Sequence, residues 1–146
     1  MKRTIQNILI GVIVILTNVA CVSVTKSDII EIRYGSQFGM CDGYCYSEII
    51  YTAESEKSIS KALVYNTLNP KKLETKEILK TKWNALISSV DLNDFYSLET
   101  TIGCPDCADG GESWVVIKTS KKSYQVHYEY SNIPEPLAKL IEEIKN

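Results

Sequence analysis

The sequence predicts an α+β domain: an antiparallel sheet of about five strands with two helices packed on one face. Three observations predict it. Segments of period two and of period three to four follow one another as strand, strand, strand, helix, strand, strand, helix. The strands come in runs joined by short polar turns, which make hairpins, and do not alternate with helices as parallel crossovers require. The chain has 146 residues, 45% of them hydrophobic, which suits a single core.

The elements follow in order. Ile29 to Tyr34 alternates β-branched residues with charges and reads as a strand. Gly35 to Cys45 reads as a loop, with Gly35, Gly39 and Gly43 spaced every four residues. Tyr46 to Ala53 and Ser58 to Tyr65 read as two strands paired across the polar turn Glu54 to Lys57. After Asn69 and Pro70 the period lengthens. Ile78, Leu79, Trp83, Leu86, Ile87 and Val90 recur three or four apart, which predicts a helix N-capped by Thr75 and ending near Ser89. Asp91 to Leu98 adds a short helical turn that buries Leu92 and Phe95, and Thr100 to Ser113 is a second long loop. Trp114 to Thr119 and Tyr124 to Tyr130 form a hairpin across residues 120–123. A last helix runs from Glu135 to Lys145, with Pro134 and Pro136 at its start and Leu137, Leu140, Ile141 and Ile144 as its buried stripe.

The N-terminus reads as an export signal. Lys2 and Arg3 precede the uncharged run Ile8 to Leu16, and small residues follow as far as Ala20. A bilayer span needs about 20 apolar residues, so this run is short for a permanent anchor. Val19, Ala20 and Cys21 resemble a lipobox, in which the cysteine is acylated and becomes the first mature residue; Asn18 departs from that pattern. The expected organisation is a signal sequence over residues 1–20, a tether over 21–27 and a single domain over 28–146. Removing the signal takes two basic residues, so the net charge of −2 becomes −4. A mildly acidic domain without a basic cluster is a poor nucleic-acid binder, and none is expected as a partner.

Four further cysteines form two pairs, Cys41 with Cys45 and Cys104 with Cys107, one in each long loop. Outside the cytoplasm such a set reads as a disulfide framework with three possible pairings. A bridge within either pair closes about four residues and contributes roughly 2 kcal/mol; a bridge between the loops closes about 60 and contributes roughly 4 kcal/mol. Two sharper readings stand beside this one. Four thiolates could hold zinc, although the intervening stretch is long for a compact zinc site. The C-x-x-C form of Cys104 and Cys107 is also that of disulfide oxidoreductases, but Asp106 and Asp109 beside it disfavour a thiolate.

Asp106, Asp109 and Glu112 lie within seven residues, and Asp42 joins them if the loops meet; such carboxylates could bind calcium, though not at EF-hand spacing. His127, the single histidine, sits in a strand with no motif-borne nucleophile near it. Five of the nine tyrosines, Tyr34, Tyr44, Tyr46, Tyr128 and Tyr130, lie by the loops and suit a recognition surface as well as strand packing.

Tyr34 to Cys45, with its Gly-Met-Cys-Asp-Gly-Tyr-Cys run, and Thr101 to Trp114, with Gly-Cys-Pro-Asp-Cys-Ala-Asp-Gly-Gly, resemble a family of small, exported, lipoprotein-like bacterial proteins of unknown function. The resemblance covers Asp28 to the C-terminus. It implies an exported α+β domain whose two Cys-Gly loops form one structural feature, and it implies no catalytic residues.

The resulting expectation is a non-enzymatic domain in the cell envelope, held at a membrane through lipid on Cys21 or an uncleaved anchor. Asp42, Tyr44, Asp106, Asp109 and Glu112 are its candidate binding residues, and a protein, peptide or glycan its partner. No cofactor is implied. The alternative is a thiol-disulfide or metal-dependent enzyme using the Cys/Asp loop.

Overall fold

The computed structural model describes residues 24–62 and 69–146. The signal sequence over 1–20, Cys21 and the end of the expected third strand at Tyr65 lie outside the described residues.

Among the described residues, seven strands form one sheet: β1 (Ile29–Gln37), β2 (Tyr44–Tyr51), β3 (Ser55–Ala62), β4 (Lys72–Glu77), β5 (Thr101–Ile102), β6 (Glu112–Thr119) and β7 (Ser123–Glu129). Their spatial order is β4-β3-β2-β1-β6-β7-β5. Every pair is antiparallel except β5, which runs parallel to β7. The described residues also form three helices: α1 (Lys80–Ser89), α2 (Leu92–Ser97) and α3 (Glu135–Lys145). The α+β class holds. The described residues give seven strands where the sequence predicts about five, and three helices where it predicts two.

Each difference has a local cause. The helix expected from Thr75 starts at Lys80, because residues 72–77 pair as a strand along β3, with Thr75 opposite Lys57. Ile78 still reaches the core, but Leu79 is 76% exposed, so the helical stripe begins only at Trp83. β3 starts at Ser55 because the turn lies earlier, at residues 52–54, where the Thr52 N–H donates to the Ser55 carbonyl at 2.9 Å. β1 continues to Gln37 and takes in Gly35, so the first loop is residues 38–43. The second loop contains β5 and a tight turn at Cys107–Asp109. The short helix over Asp91 to Leu98 is as expected, with the Asp91 carboxylate accepting from the Asn93 and Asp94 N–H groups.

One face of the sheet presents Ile32, Tyr51, Val115, Ile117, Val126 and Tyr128 to Trp83 and Leu86 of α1, Leu92 and Phe95 of α2, and the Leu137, Leu140, Ile141 and Ile144 stripe of α3. Strand alternation sends the neighbouring residues to the opposite face, which the helices leave uncovered.

Candidate functional site

The cysteines pair within their loops, Cys41 with Cys45 and Cys104 with Cys107. Both sulfur pairs are thereby consumed, and the four-thiolate zinc reading falls. Cys45 lies at the start of β2 and is 2% exposed, which ties the first bridge to the sheet. Cys104 and Cys107 are both exposed.

The two loops touch. The Gly39 N–H donates to Asp106 Oδ1 at 3.2 Å, and the Phe38 ring also meets Tyr130, just past β7, edge-on at 4.6 Å. Gly111 lies so close to Phe38 that a Cβ would collide with the ring, and its φ of +79° suits glycine as well. On the far side of the second loop the Cys104 N–H donates to Glu129 Oε1 at 2.9 Å. Between these anchors Asp106, Ala108 and Asp109 all adopt left-handed backbone, with φ of 58°, 51° and 58°.

The five candidate binding residues fall in different places. Asp106 ties the loops together, Asp109 is exposed in the second loop, and Asp42 is exposed in the first. Tyr44 turns toward the β3–β4 side, where its hydroxyl donates to the Pro70 carbonyl at 2.9 Å and the Lys72 ammonium stands 4.4 Å over its ring. Glu112 opens β6 on the uncovered face. Among the described residues, no three His, Cys, Asp or Glu side chains come together to hold a metal, so the calcium reading has no converging carboxylates to rest on.

Glu112 instead belongs to a depression of about 240 Å³ that adjoins the loops and is lined by Gln37, Tyr46, Glu48, Glu112, Trp114, Gln125 and His127. Strand register builds it. Glu48, Gly35, Trp114 and His127 stand in one row across β2, β1, β6 and β7; Tyr46, Gln37, Glu112 and Glu129 form the next. Gly35 leaves a gap in the first row, and the Trp114 indole lies in it, only 5% exposed, with Nε1 donating to Glu48 Oε1 at 3.2 Å. Tyr46 and His127 flank the indole at 5.3 and 6.0 Å between ring centroids. Burial, then the Glu48 carboxylate, pushes the Tyr46 hydroxyl up to about 12.

Glu112 accepts from Gln37 Nε2 at 2.5 Å through one oxygen and meets His127 Nδ1 at 2.9 Å through the other. The second imidazole nitrogen, Nε2, contacts the Gln125 amide at 2.5 Å. A carboxylate and an amide thus fix the imidazole from both sides, and neither partner is a hydroxyl or thiol that it could activate. The arrangement offers a small set of oriented donors and acceptors over an aromatic floor, which suits recognition.

Of these residues the sequence reading singled out Glu112 for binding, passed over His127 as solitary and placed Tyr46 among the loop tyrosines. It missed Gln37, Glu48, Trp114 and Gln125. The available signal was Gly35 inside a strand, since a bare glycine there marks a close approach by something large. No protein-family model and no curated protein matches the chain.

Proposed function

We propose that this chain is an exported, non-enzymatic binding domain that recognises a protein, peptide or glycan with the loop end of its sheet, its N-terminal segment holding it at a membrane through lipid on Cys21 or an uncleaved anchor. The observation that carries the reading is the join between the two cystine loops, Gly39 to Asp106 and Phe38 against Gly111, beside the polar depression at Glu112 and His127. Binding residues favour loops that a scaffold positions, and a loop already ordered loses less entropy on meeting a partner. The basic start at Lys2 and Arg3, the apolar run after it and two closed disulfides support export, because bridges persist in oxidising compartments.

The test compares two variants of the full-length chain in pull-downs from envelope extract and in glycan-array binding. The first changes the loop end, Asp109→Ala with Gln125→Ala and His127→Ala; the second changes the distant β4 edge, Glu74→Ala with Glu77→Ala. Capture lost only in the first, with unchanged circular dichroism, supports the loop end as the binding surface. Equal capture by both rejects it.

A further inference from the structure

The two bridges differ in surroundings. Cys41–Cys45 has one end buried beneath the start of β2. Cys104–Cys107 is exposed at both residues and borders a hollow of about 190 Å³, whose other walls include Gly110, Gly111, Glu129 and Tyr130. With both cysteines exposed, an incoming group can approach the bridge from solvent. The turn at the second bridge, with Asp106 inside the ring and Ala108 and Asp109 directly after it, also carries strain that the first loop lacks. In the first loop the one positive φ belongs to a glycine, Gly43; around the second bridge Asp106, Ala108 and Asp109 all hold left-handed backbone. Such conformations cost a non-glycine residue free energy, and they persist only where surroundings impose them.

We propose that Cys104–Cys107 is a thiol-exchange site that an external dithiol opens, while Cys41–Cys45 is a structural bridge. A thiolate of the dithiol attacks one sulfur of the bridge, forming a mixed disulfide and releasing the other cysteine as a thiolate. The second thiol of the same reagent, deprotonated, then attacks its own half of the mixed disulfide and expels the remaining cysteine. The dithiol leaves as a cyclic or intramolecular disulfide. Cys104 and Cys107 gain two electrons, and the two protons given up by the dithiol return to them through solvent. The bridge does not open an α-helix, and Glu129 and Asp106 flank it, so the drive is relief of the left-handed backbone and not charge stabilisation of a thiolate. Opening also loosens Asp106, whose carboxylate holds Gly39 of the other loop. None of these steps needs a ligand on the loop surface.

The experiment equilibrates the full-length oxidised chain with graded ratios of reduced to oxidised dithiothreitol, blocks free thiols by alkylation and assigns them by peptide mass. Cys104–Cys107 is expected to open at a reductant ratio at least tenfold lower than Cys41–Cys45. Simultaneous opening, or Cys41–Cys45 opening first, overturns the proposal. Ala108→Gly supplies the second arm. It removes a left-handed penalty from the oxidised form, partly offset by the extra freedom glycine gives the open form, so about threefold more reductant should be needed to open Cys104–Cys107, with the Cys41–Cys45 midpoint unmoved. A Cys104–Cys107 midpoint that does not shift in this variant also overturns the proposal.

Discussion

Gly35 is the position whose substitution should test the uncovered face most sharply. A Cβ there would run into Cζ2, Cε2 and Nε1 of the Trp114 indole, so Gly35→Ala must push the ring out of its bed. Forcing extra volume into a packed site costs about 1–3 kcal/mol. The displaced ring also gives up its bond to Glu48, which is 8% exposed, and a hydrogen bond to a charged group is worth about 1.5–3 kcal/mol. Against this, alanine in a strand is favoured over glycine by roughly 0.5–1 kcal/mol through backbone entropy. The net expectation is a loss of about 2–5 kcal/mol, read from urea denaturation followed by circular dichroism. The decisive arm is the same substitution in a Trp114→Val background. With the indole gone, only the backbone term survives, so Gly35→Ala should be neutral or stabilising by up to about 1 kcal/mol. The cost therefore vanishes or reverses between backgrounds. An equal cost in both would refute the account of Gly35 as a bed for the indole.

Two further predictions concern stability. Burial, then the Glu48 carboxylate, raises Tyr46 to about 12, and burial is also the main cause that raises Tyr51 and Tyr128. In the unfolded chain tyrosine ionises near about 10, so the folded form keeps protons that the unfolded form has lost. Stability should be fully present below about pH 10 and fall as pH rises through about 12; a urea midpoint unchanged from pH 9 to 11 would contradict this. Asp91 caps α2 by accepting from the Asn93 and Asp94 N–H groups at 2.9 and 3.2 Å, so Asp91→Ala should cost about 1 kcal/mol and Asp91→Asn much less, both read from the denaturation midpoint.

Much of the architecture was legible because burial writes a period into the chain. The stripe Leu137, Leu140, Ile141 and Ile144 is fully realised in α3, and the β6–β7 hairpin closes at the expected turn, with the Thr119 N–H donating to the Lys122 carbonyl at 2.8 Å. β4 was illegible for the converse reason. All six of its residues are exposed, so no face needs apolar side chains and no alternation appears. Its run of lysines and glutamates is what an edge strand uses to discourage pairing with another chain. The helical spacing from Ile78 onward then spread upstream into it. β5 is two residues long and pairs through its backbone, which leaves no side-chain signature.

The site divides along the same line. Glycine and cysteine mark the two loops directly, since positive φ at Gly43, Gly103 and Gly111 and the two short bridges are local requirements. The depression has no local mark except Gly35. Glu112 meets His127 across 15 residues and Gln37 across 75, so each looks unremarkable in its own segment. What brings them together is the insertion of β6 beside β1, and that pairing is selected on the other face of the sheet, where Ile32 lies opposite Ile117 and both are fully buried. A slip of β6 by one residue in this register would expose Ile117 and drive Trp114 toward the helices. The hydrophobic core therefore sets the geometry of a polar site with which it shares no side chain, and residues 37, 48, 112, 125 and 127 become neighbours as a consequence of where the core residues between them must point.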